Sequence, residues 1–539
     1  MKIRLWAASL AALGILAFGT PEKLQGQQRQ RVTADVAPPP SASRVVKDDD
    51  EPGVPKGETY ADKVAPDAAP GRFPGKTPAG AGLPIASSPA SIDSKPAEDT
   101  GVKFKFKPGD NNLLQMESNS GLFKFYAGGR LQVDAVWLTT KDNVQAPRDK
   151  GGIGNVQDAV NFRRARFDFG GTFYKNIEFL MEWDFINTVN AERTGAPLPI
   201  NTPAPTDLWV TFKDLPIIGN FRVGNQKPPV SFEHLTSSRF LNFMERSLAF
   251  DAFIENQDNG FEPGVMAFDT AMDQRMYWAL GVFKNTRNIF GWNTGDGEYD
   301  VTGRLTCLPV WENDGETLVH IGLSASHRAL DDHQERLRAR LLVRNGPAVL
   351  HNIVAEARMI GSGRDQVAPE FVAVVGPWTF QAEYYANWVH DATTPVDGAK
   401  KTNFGTAYFA GGYAEVLYFL TGEHQTYNRN AAAFTRVTPR NNFRGFGGST
   451  ASDECADCSG GSGGAGIGAW QIGARYSFVD LDNKGIRGST AQDLTLGLNW
   501  FLNPYVKVQW DYTMLYRNAF DPKNDGFVYG FGTRLAIDF

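Results

Sequence analysis

Four arginines in one short stretch carry the strongest chemical signal in the sequence. They are Arg336, Arg338, Arg340 and Arg344, and the first three alternate with uncharged residues. In an extended chain, side chains two positions apart point the same way, so this spacing gathers the guanidinium groups on one side. Such groups repel one another unless a solvent-filled path, counter-carboxylates or bound anions lie between them. Because guanidinium forks match phosphate oxygens, the stretch predicts an anion path; a solvated strand edge is the alternative.

A second basic cluster comprises Arg163, Arg164 and Arg166. On a strand, Arg164 and Arg166 share the face opposite two phenylalanines, whereas Arg163 has the wrong parity, which predicts a position at a rim or a β-bulge. Arg130 takes a similar polar-face position opposite leucine and valine. Structural ion pairs with nearby aspartates are the alternative for each of these arginines.

Cys455 and Cys458 form a CxxC motif in a Gly-rich stretch. A redox pair would need a βαβ context, which is missing, and a zinc site would need two further Cys or His ligands. The motif therefore favours a small loop-closing disulfide. The sequence contains no nucleophile elbow, Walker loop or HExxH motif, so we expect no catalytic residues, no cofactor and no metal, and the protein is not expected to be an enzyme.

The elements that must position these residues are strands in which apolar and polar residues alternate. The clearest one is residues 527–539, where Phe, Tyr, Phe, Thr, Leu, Ile and Phe occupy one face. Similar alternation recurs over the 438 residues from 102 to 539, with turns marked by Gly, Asn, Asp and Pro. A soluble sandwich also alternates. Strands of about ten residues with aromatics near their ends instead favour an all-β transmembrane antiparallel β-barrel.

The barrel prediction also sets a strand number. In lipid the sheet must close, because every backbone donor needs a partner. About 27 residues per strand and connection then suit about 16 strands (16–18), with inward-folded loops and a water-filled lumen.

Composition excludes several other classes of protein. No stretch beyond the first twenty of the 539 residues approaches the apolar length of a spanning helix, and three cysteines exclude a disulfide scaffold. A net charge of −6 argues against a nucleic-acid partner.

Three regions follow from the pattern of residues. Residues 1–26 predict a signal peptide, since basic residues precede a short apolar run. Residues 27–100 hold 12 of the 31 prolines and predict a disordered, Pro-rich linker in the periplasm, either inert or in contact with the cell wall. Residues 101–539 are expected to form the barrel domain.

One long connection, at about residues 228–260, is too apolar for bulk solvent. It contains His234, Arg239 and Arg246 among several aromatic residues. Folding this connection into the barrel would bury its aromatics against the wall and aim its charges across the lumen.

Collinear motifs across residues 121–539 give a more specific reading. They include residues 128–134 (GGRLQVD), 162–166 (FRRAR), 235–239 (LTSSR), 244–248 (MERSL), 420–423 (LTGE) and 496–500 (LGLNW), with a terminal Phe539. In this order they resemble the phosphate-selective porins O and P of Gram-negative outer membranes. The resemblance implies a homotrimer of 16-stranded barrels, each with a narrow, basic, anion-selective pore.

The same resemblance assigns roles to particular residues. It implies that Arg336, Arg338, Arg340 and Arg344 form an arginine ladder, which Arg130, Arg163 and Arg164 join above the constriction. It also implies that Arg246 lies in the constriction loop and that Asp207 lies near the binding site. His234 stands where phosphate-specific members have a lysine. Since histidine is only partly charged at neutral pH, this departure concerns phosphate specificity more than anion preference.

We therefore expect an outer-membrane porin that lets small anions such as phosphate or polyphosphate diffuse passively through an arginine-lined constriction. Arg338→Glu and Arg340→Glu together should weaken the block of the pore by phosphate and leave the thermal stability of the barrel nearly unchanged. One alternative is a general porin with its arginines balanced by carboxylates. Another is a structural outer-membrane anchor that uses its Pro-rich arm.

Overall fold

The structure is a computed structural model. It describes residues 101–106, 114–186, 188–189, 200–201, 203–255, 260–284, 298–330, 334–346, 351–394, 402–443 and 466–539. The predicted signal peptide, the Pro-rich linker and both cysteines of the CxxC motif lie outside these residues.

The described residues contain twenty-four strands. In chain order they are β1 (Val102–Phe106), β2 (Leu114–Ser118), β3 (Phe123–Thr140), β4 (Ala159–Phe173), β5 (Ile177–Asp184), β6 (Thr188–Val189), β7 (Ile200–Asn201), β8 (Ala204–Leu215), β9 (Gly219–Gln226), β10 (Glu262–Ala271), β11 (Met276–Lys284), β12 (Tyr299–Glu312), β13 (Thr317–Ala329), β14 (Gln334–Arg340), β15 (Ile353–Ile360), β16 (Gly363–Val375), β17 (Trp378–Thr393), β18 (Asn403–Phe419), β19 (Tyr427–Asn428), β20 (Ala433–Phe434), β21 (Ala469–Asn483), β22 (Ile486–Asn503), β23 (Val506–Asn518) and β24 (Gly526–Asp538).

Helices are few and short in the described part of the chain. The α-helices are α1 (Phe232–Leu235) and α2 (Leu248–Phe253), and three 3₁₀ turns occupy Arg148–Lys150, Asn313–Gly315 and Pro522–Asn524. None of these helices has the length and apolar character needed to cross a membrane.

Sixteen of the strands form a closed antiparallel barrel, which confirms the predicted fold and the lower end of the predicted strand number. They are all the strands except β1, β2, β6, β7, β14, β15, β19 and β20. The barrel closes where β24 pairs with β3, with Leu535 opposite Val133. Closure leaves no wall strand with an unpaired edge, as a lipid environment requires.

Alternation along the strands separates an apolar outer face from a polar inner face. Trp137 and Phe167 expose 47% and 45% of their surface on the outside, whereas Asp134 and Glu182 are 1% and 2% exposed on the inside. Aromatic rings pair across neighbouring strands on the outer face, and Trp137 stacks on Phe531 with ring centroids 5.7 Å apart. This is the exposure pattern expected when lipid surrounds the wall and charged groups face the lumen.

Connections differ between the two ends of the barrel. At one end most are tight turns, for example residues 174–176, 216–218, 376–377 and 504–505. Two long connections from the other end fold into the lumen. We call them the inner loop (residues 227–255 and 260–261, between β9 and β10) and the inner hairpin (residues 334–346 and 351–360, containing β14 and β15). Because β13 pairs directly with β16, the inner hairpin is not part of the wall.

A third segment enters from the end with the tight turns. This lower segment (residues 420–443) follows β18 and contains the short strands β19 and β20. Its Tyr427 and Phe434 join a buried cluster with Phe232 of the inner loop and with Leu318 and Val372 of the wall. The inner wall is apolar there, so burying the lower segment removes that surface from water.

Candidate pore constriction

The inner loop is held by hydrogen bonds at the start of each short helix. Ser231 accepts the His234 N–H (3.1 Å) and Ser247 accepts the Phe250 N–H (3.2 Å), as helix N-caps do. The wall adds a carboxylate, because Glu383 accepts the backbone N–H groups of Phe232 (2.8 Å) and Glu233 (2.9 Å). The loop is therefore fixed to the wall at the position where α1 begins.

Glycines in the wall make room for the side chains of the inner loop. A Cβ added at Gly497 would lie 2.8 Å from the Phe243 ring, and one added at Gly532 would lie 2.8 Å from Met244 Sδ. Both loop side chains are buried. As expected from the apolar character of this connection, it is folded inside the barrel and packed against the wall.

Glu245, in the inner loop, is surrounded by four arginines. Its carboxylate accepts hydrogen bonds from Arg163 (2.7 Å) and Arg534 (2.8 Å), and Arg344 (3.6 Å) and Arg164 (3.8 Å) lie within ion-pair distance. Burial by itself would raise the pKa of Glu245, but these guanidinium groups hold it well below the ordinary value. Glu245 is thus a permanent anion that joins the loop to the wall and to the inner hairpin.

Two more carboxylates of the inner loop neutralise Arg340 and Arg344. Asp251 accepts hydrogen bonds from the backbone N–H of Arg340 (2.6 Å) and from its Nε (3.0 Å), and Arg344 lies 3.1 Å away. Glu255 lies 3.4 Å from Arg344. Despite burial, Arg344 and Arg340 lower the pKa of Glu255 to about 2, and Arg340 lowers that of Asp251. The counter-carboxylate alternative therefore holds for Arg340 and Arg344.

Arg336 and Arg338 are not neutralised in this way. Arg336 donates to Glu356 on the facing strand β15 (2.5 Å), which also accepts from Arg358 (3.2 Å) and from Arg148 (2.8 Å). Arg338, two residues further along the strand, has no hydrogen-bond or ion-pair partner among the described residues, and its Nε is buried. Three guanidinium groups share Glu356 and Arg338 adds a fourth without a partner, which leaves an excess of positive charge at this level of the lumen.

The wall arginines predicted from alternation lie on the inner face. Arg130 pairs with Glu182 and also donates to Ser238 (2.6 Å). Arg166 donates to Asp184 (2.7 Å), and Arg239 of the inner loop donates to Asp168 (2.5 Å). The remaining member, Arg164, donates to Gln132 (2.7 Å). The structure brings these residues together as a network of arginines and carboxylates beneath the inner loop.

Two predicted residues lie at irregularities in the wall. Arg163 is the extra residue of a bulge in β4, because Arg164 pairs with Gln132 and Phe162 with Val133. Asp207 lies at a register shift between β5 and β8, where its carboxylate accepts the Trp209 indole N–H (3.0 Å). A bulge turns a side chain out of strict alternation, which lets both residues point inward.

His234 and Arg246 lie within the inner loop and do not line an open path. The two ring nitrogens of His234 face the carbonyl oxygens of Val230 (3.2 Å) and Gly260 (2.9 Å). Burial, helped by Lys227 and Arg246, lowers the pKa of His234 well below its usual range, so the ring is neutral. Arg246 donates to the backbone carbonyls of Glu233 (2.8 Å) and Thr236 (2.7 Å).

Sequence reasoning missed several residues of this region. Glu245 and Asp251 belong to no basic cluster in the sequence, although these two anions organise the site. Arg534 was visible on the polar face of the last strand and donates to Asp134 (2.7 Å). Lys227, which directly follows β9, donates to the carbonyl of His234 (2.6 Å).

Among the described residues no group of His, Cys, Asp or Glu side chains is arranged to hold a metal ion. The basic and acidic side chains of the lumen are instead arranged in ion pairs and hydrogen bonds. Such an arrangement can bind and pass charged solutes, since it presents fixed guanidinium groups beside water.

Comparison with known proteins gives consistent matches. The model of the family described as phosphate-selective porin O and P matches residues 139–526, which is more than half of the chain. Porin O of Pseudomonas aeruginosa is 26% identical over 458 residues, covering 79% of this chain and 91% of that protein. An uncharacterized protein of Caulobacter vibrioides is 27% identical over 487 residues, covering 85% of this chain and 81% of the other.

The fold also resembles solved porins at low identity. An anion-selective porin from Comamonas acidovorans shares 10% identity with a TM-score of 0.42, covering 77% of this chain and all of that one. That similarity is too distant to carry an argument about this chain. The family match, by contrast, spans the barrel from the end of β3 to the start of β24, and so the chain belongs to the phosphate-selective porin O and P family.

Proposed function

We propose that this outer-membrane porin passes small anions, with phosphate or polyphosphate as the intended solutes, through a constriction lined by arginine. The observation that carries the proposal is Arg338, a ladder guanidinium with no partner among the described residues. An anion arriving there gains charge-assisted hydrogen bonds without having to displace a carboxylate of the protein.

The surroundings of Arg338 support this choice of ion. Arg336, Arg358 and Arg148 all donate to Glu356, so the local charge stays positive after pairing. Low-dielectric walls strengthen the field of such a cluster and raise the local concentration of counter-ions. Anions are therefore concentrated at the level of the inner hairpin, above the neutralised inner loop.

Phosphate is favoured over chloride by the chemistry of the donors. A guanidinium fork offers parallel N–H groups that match two oxygens of one phosphate group. The description of the matched family, phosphate-selective porin O and P, points the same way. His234 contributes no charge in this proposal, since it is neutral and hydrogen-bonded within the inner loop.

Planar-bilayer recordings test the proposal directly. The reversal potential in asymmetric KCl should show preference for chloride, and added phosphate, pyrophosphate or sulfate should block the chloride current. Preference for potassium would contradict the proposal.

A general porin remains the second candidate because most lumen arginines are paired with carboxylates, for example Arg130 with Glu182 and Arg239 with Asp168. It predicts weak ion selectivity and no block by phosphate. The same recordings therefore distinguish the two functions.

We also propose how the rest of the chain serves this function. Residues 1–26 would direct export and be removed, and residues 27–100 would form a flexible periplasmic tether able to contact the cell wall.

Three barrels would associate through the outer face of β3 to β5, where aromatic rings stack closely; the centroids of Phe173 and Phe179 are 5.1 Å apart. Deleting residues 27–100 should leave conductance unchanged, and chemical cross-linking should yield trimers.

A further inference from the structure

Arg222 lies on the inner face of β9, close to the tight turn at residues 216–218. Its guanidinium carbon is 3.7 Å from the centroid of the Trp209 ring and 4.9 Å from that of the Phe268 ring. Its Nε donates to Thr211 Oγ1 (2.9 Å), directly across the β8–β9 pair. Two ring contacts and one hydrogen bond fix the plane of the guanidinium group.

The neighbouring backbone is shaped to hold the indole in this position. Trp209 faces Gly224 across the strand pair, and Gly224 has φ of +135°, where a side chain is rarely tolerated. A Cβ there would lie 2.9 Å from Trp209 Cβ. The indole N–H is fixed in turn by Asp207 Oδ1 (3.0 Å). The aromatic platform under Arg222 is therefore rigid before any ligand arrives.

Arg222 differs from most arginines of the lumen in having its terminal nitrogens available. Among the described residues no carboxylate lies within 4 Å of it, and its only hydrogen bond uses Nε. The two terminal NH₂ groups form the edge of the guanidinium that can bind both oxygens of one carboxylate. Arg222 is partly exposed, so this edge is accessible from the lumen.

The surroundings of the free edge are apolar on one side. Phe268 packs against the buried inner cluster that contains Met266 and Tyr277. A hydrated phosphate ion gains nothing from such a surface, because every face of the ion needs polar partners. An anion with one planar charged end and an apolar ring would bind the guanidinium edge and cover the neighbouring side chains together.

We propose that Arg222, Trp209 and Phe268 form a binding site for small aromatic carboxylates, separate from the arginine ladder. The site lies at the end of the lumen with the tight turns, whereas Arg338 lies on the inner hairpin that enters from the other end. It gives the pore a second solute class besides inorganic anions. The proposal depends on the barrel having a lumen and not on its preference for anions.

The test measures equilibrium binding of benzoate to the detergent-solubilised full-length protein by saturation-transfer NMR. Losing one charge-assisted pair in Arg222→Gln should weaken benzoate binding about tenfold or more. Acetate, which lacks the ring, should bind the native protein about fivefold more weakly than benzoate. Trp209→Leu should reduce the difference between benzoate and acetate.

Arg429→Gln is the matched control. Arg429 also stacks on an aromatic ring, that of Trp311 at 5.0 Å, near the same end of the barrel, but one of its terminal nitrogens donates to the Asp273 carbonyl (2.9 Å). Benzoate affinity should not change in this variant. A thermal melt of each variant by circular dichroism shows whether the barrel is intact.

Two results would overturn the proposal. One is unchanged benzoate affinity in a folded Arg222→Gln protein. The other is displacement of benzoate by orthophosphate at equal concentration, which would make this a general anion site. Preference for potassium in the bilayer experiment would instead remove the proposed anion function and leave benzoate binding at Arg222 intact, so the two failures are distinguishable.

Discussion

Arg338→Gln should weaken anion binding and Arg340→Gln should destabilise the inner loop, although the two arginines are neighbours on one face of β14. Arg338 has no partner among the described residues, so its loss removes a ligand of the anion and little else. A hydrogen bond to a charged group contributes about 1.5–3 kcal/mol, and we expect about 1.5 kcal/mol in this partly exposed position. The concentration of phosphate that halves the chloride current should therefore rise about tenfold.

Arg340→Gln should instead loosen the inner loop. Asp251 would lose its main partner in a buried site, where removal of one ion-pair member costs about 3–5 kcal/mol. We expect about 3 kcal/mol, because Arg344 remains 3.1 Å from the carboxylate. Hydrogen exchange of the α2 amides should accelerate while the wall strands stay protected. The expectation that both positions can be changed without loss of stability is thus revised for Arg340.

The contrast between the two variants decides whether this reasoning is correct. A phosphate block in Arg338→Gln within twofold of the native value would refute the assignment of the anion site. Unchanged exchange of α2 in Arg340→Gln would refute the structural role of the Asp251 pair. A conservative Arg338→Lys protein should retain most of the block, since the charge is kept and only the fork is lost.

Three further predictions follow from the inner loop. Gly497→Val should displace Phe243 and increase single-channel conductance in bilayer recordings; unchanged conductance would mean that the loop does not narrow the pore. Acidification should release the loop, because Glu255 has a pKa of about 2 in the folded protein against about 4.5 when unperturbed, so its contribution is complete above pH 4.5 and is lost as the pH falls towards 2. Tryptic cleavage of the loop after short acid exposure measures this, and resistance down to pH 2 would count against it. His234→Gln should leave the reversal potential in KCl unchanged, since the ring is neutral and buried; a shift towards potassium would show that the ring carries charge.

The wall of the barrel was readable from sequence because its physical rule is local. Lipid outside and water inside force a period of two, and one residue of known parity then fixes the others on its strand. Arg130 and Arg164 could be placed on the inner face in this way, and the break in parity at Arg163 indicated a bulge. Bulges such as that at Asp207 give no comparable signal, because a short shift in register leaves the composition of the strand unchanged.

The partners of the arginines could not be predicted, since they come from distant parts of the chain. Glu245 is 82 residues from Arg163, and Asp251 is 89 residues from Arg340. Which arginine is neutralised depends on how the inner loop meets the inner hairpin, and local patterns do not encode that. The lower segment did carry a usable signal, because Phe434 and Val437 make it too apolar for an exposed connection, as the same criterion showed for the inner loop.

The position of Glu245 also has a consequence for the order of assembly. This carboxylate bonds to Arg163 on β4 and to Arg534 on β24, and Arg534 binds Asp134 on β3, which is 400 residues earlier in the chain. The inner loop therefore bridges the seam where the first and last wall strands meet. Its contacts with both ends of the wall are complete only once β24 has joined β3, so we infer that the loop reaches its final packing late, after the barrel has closed.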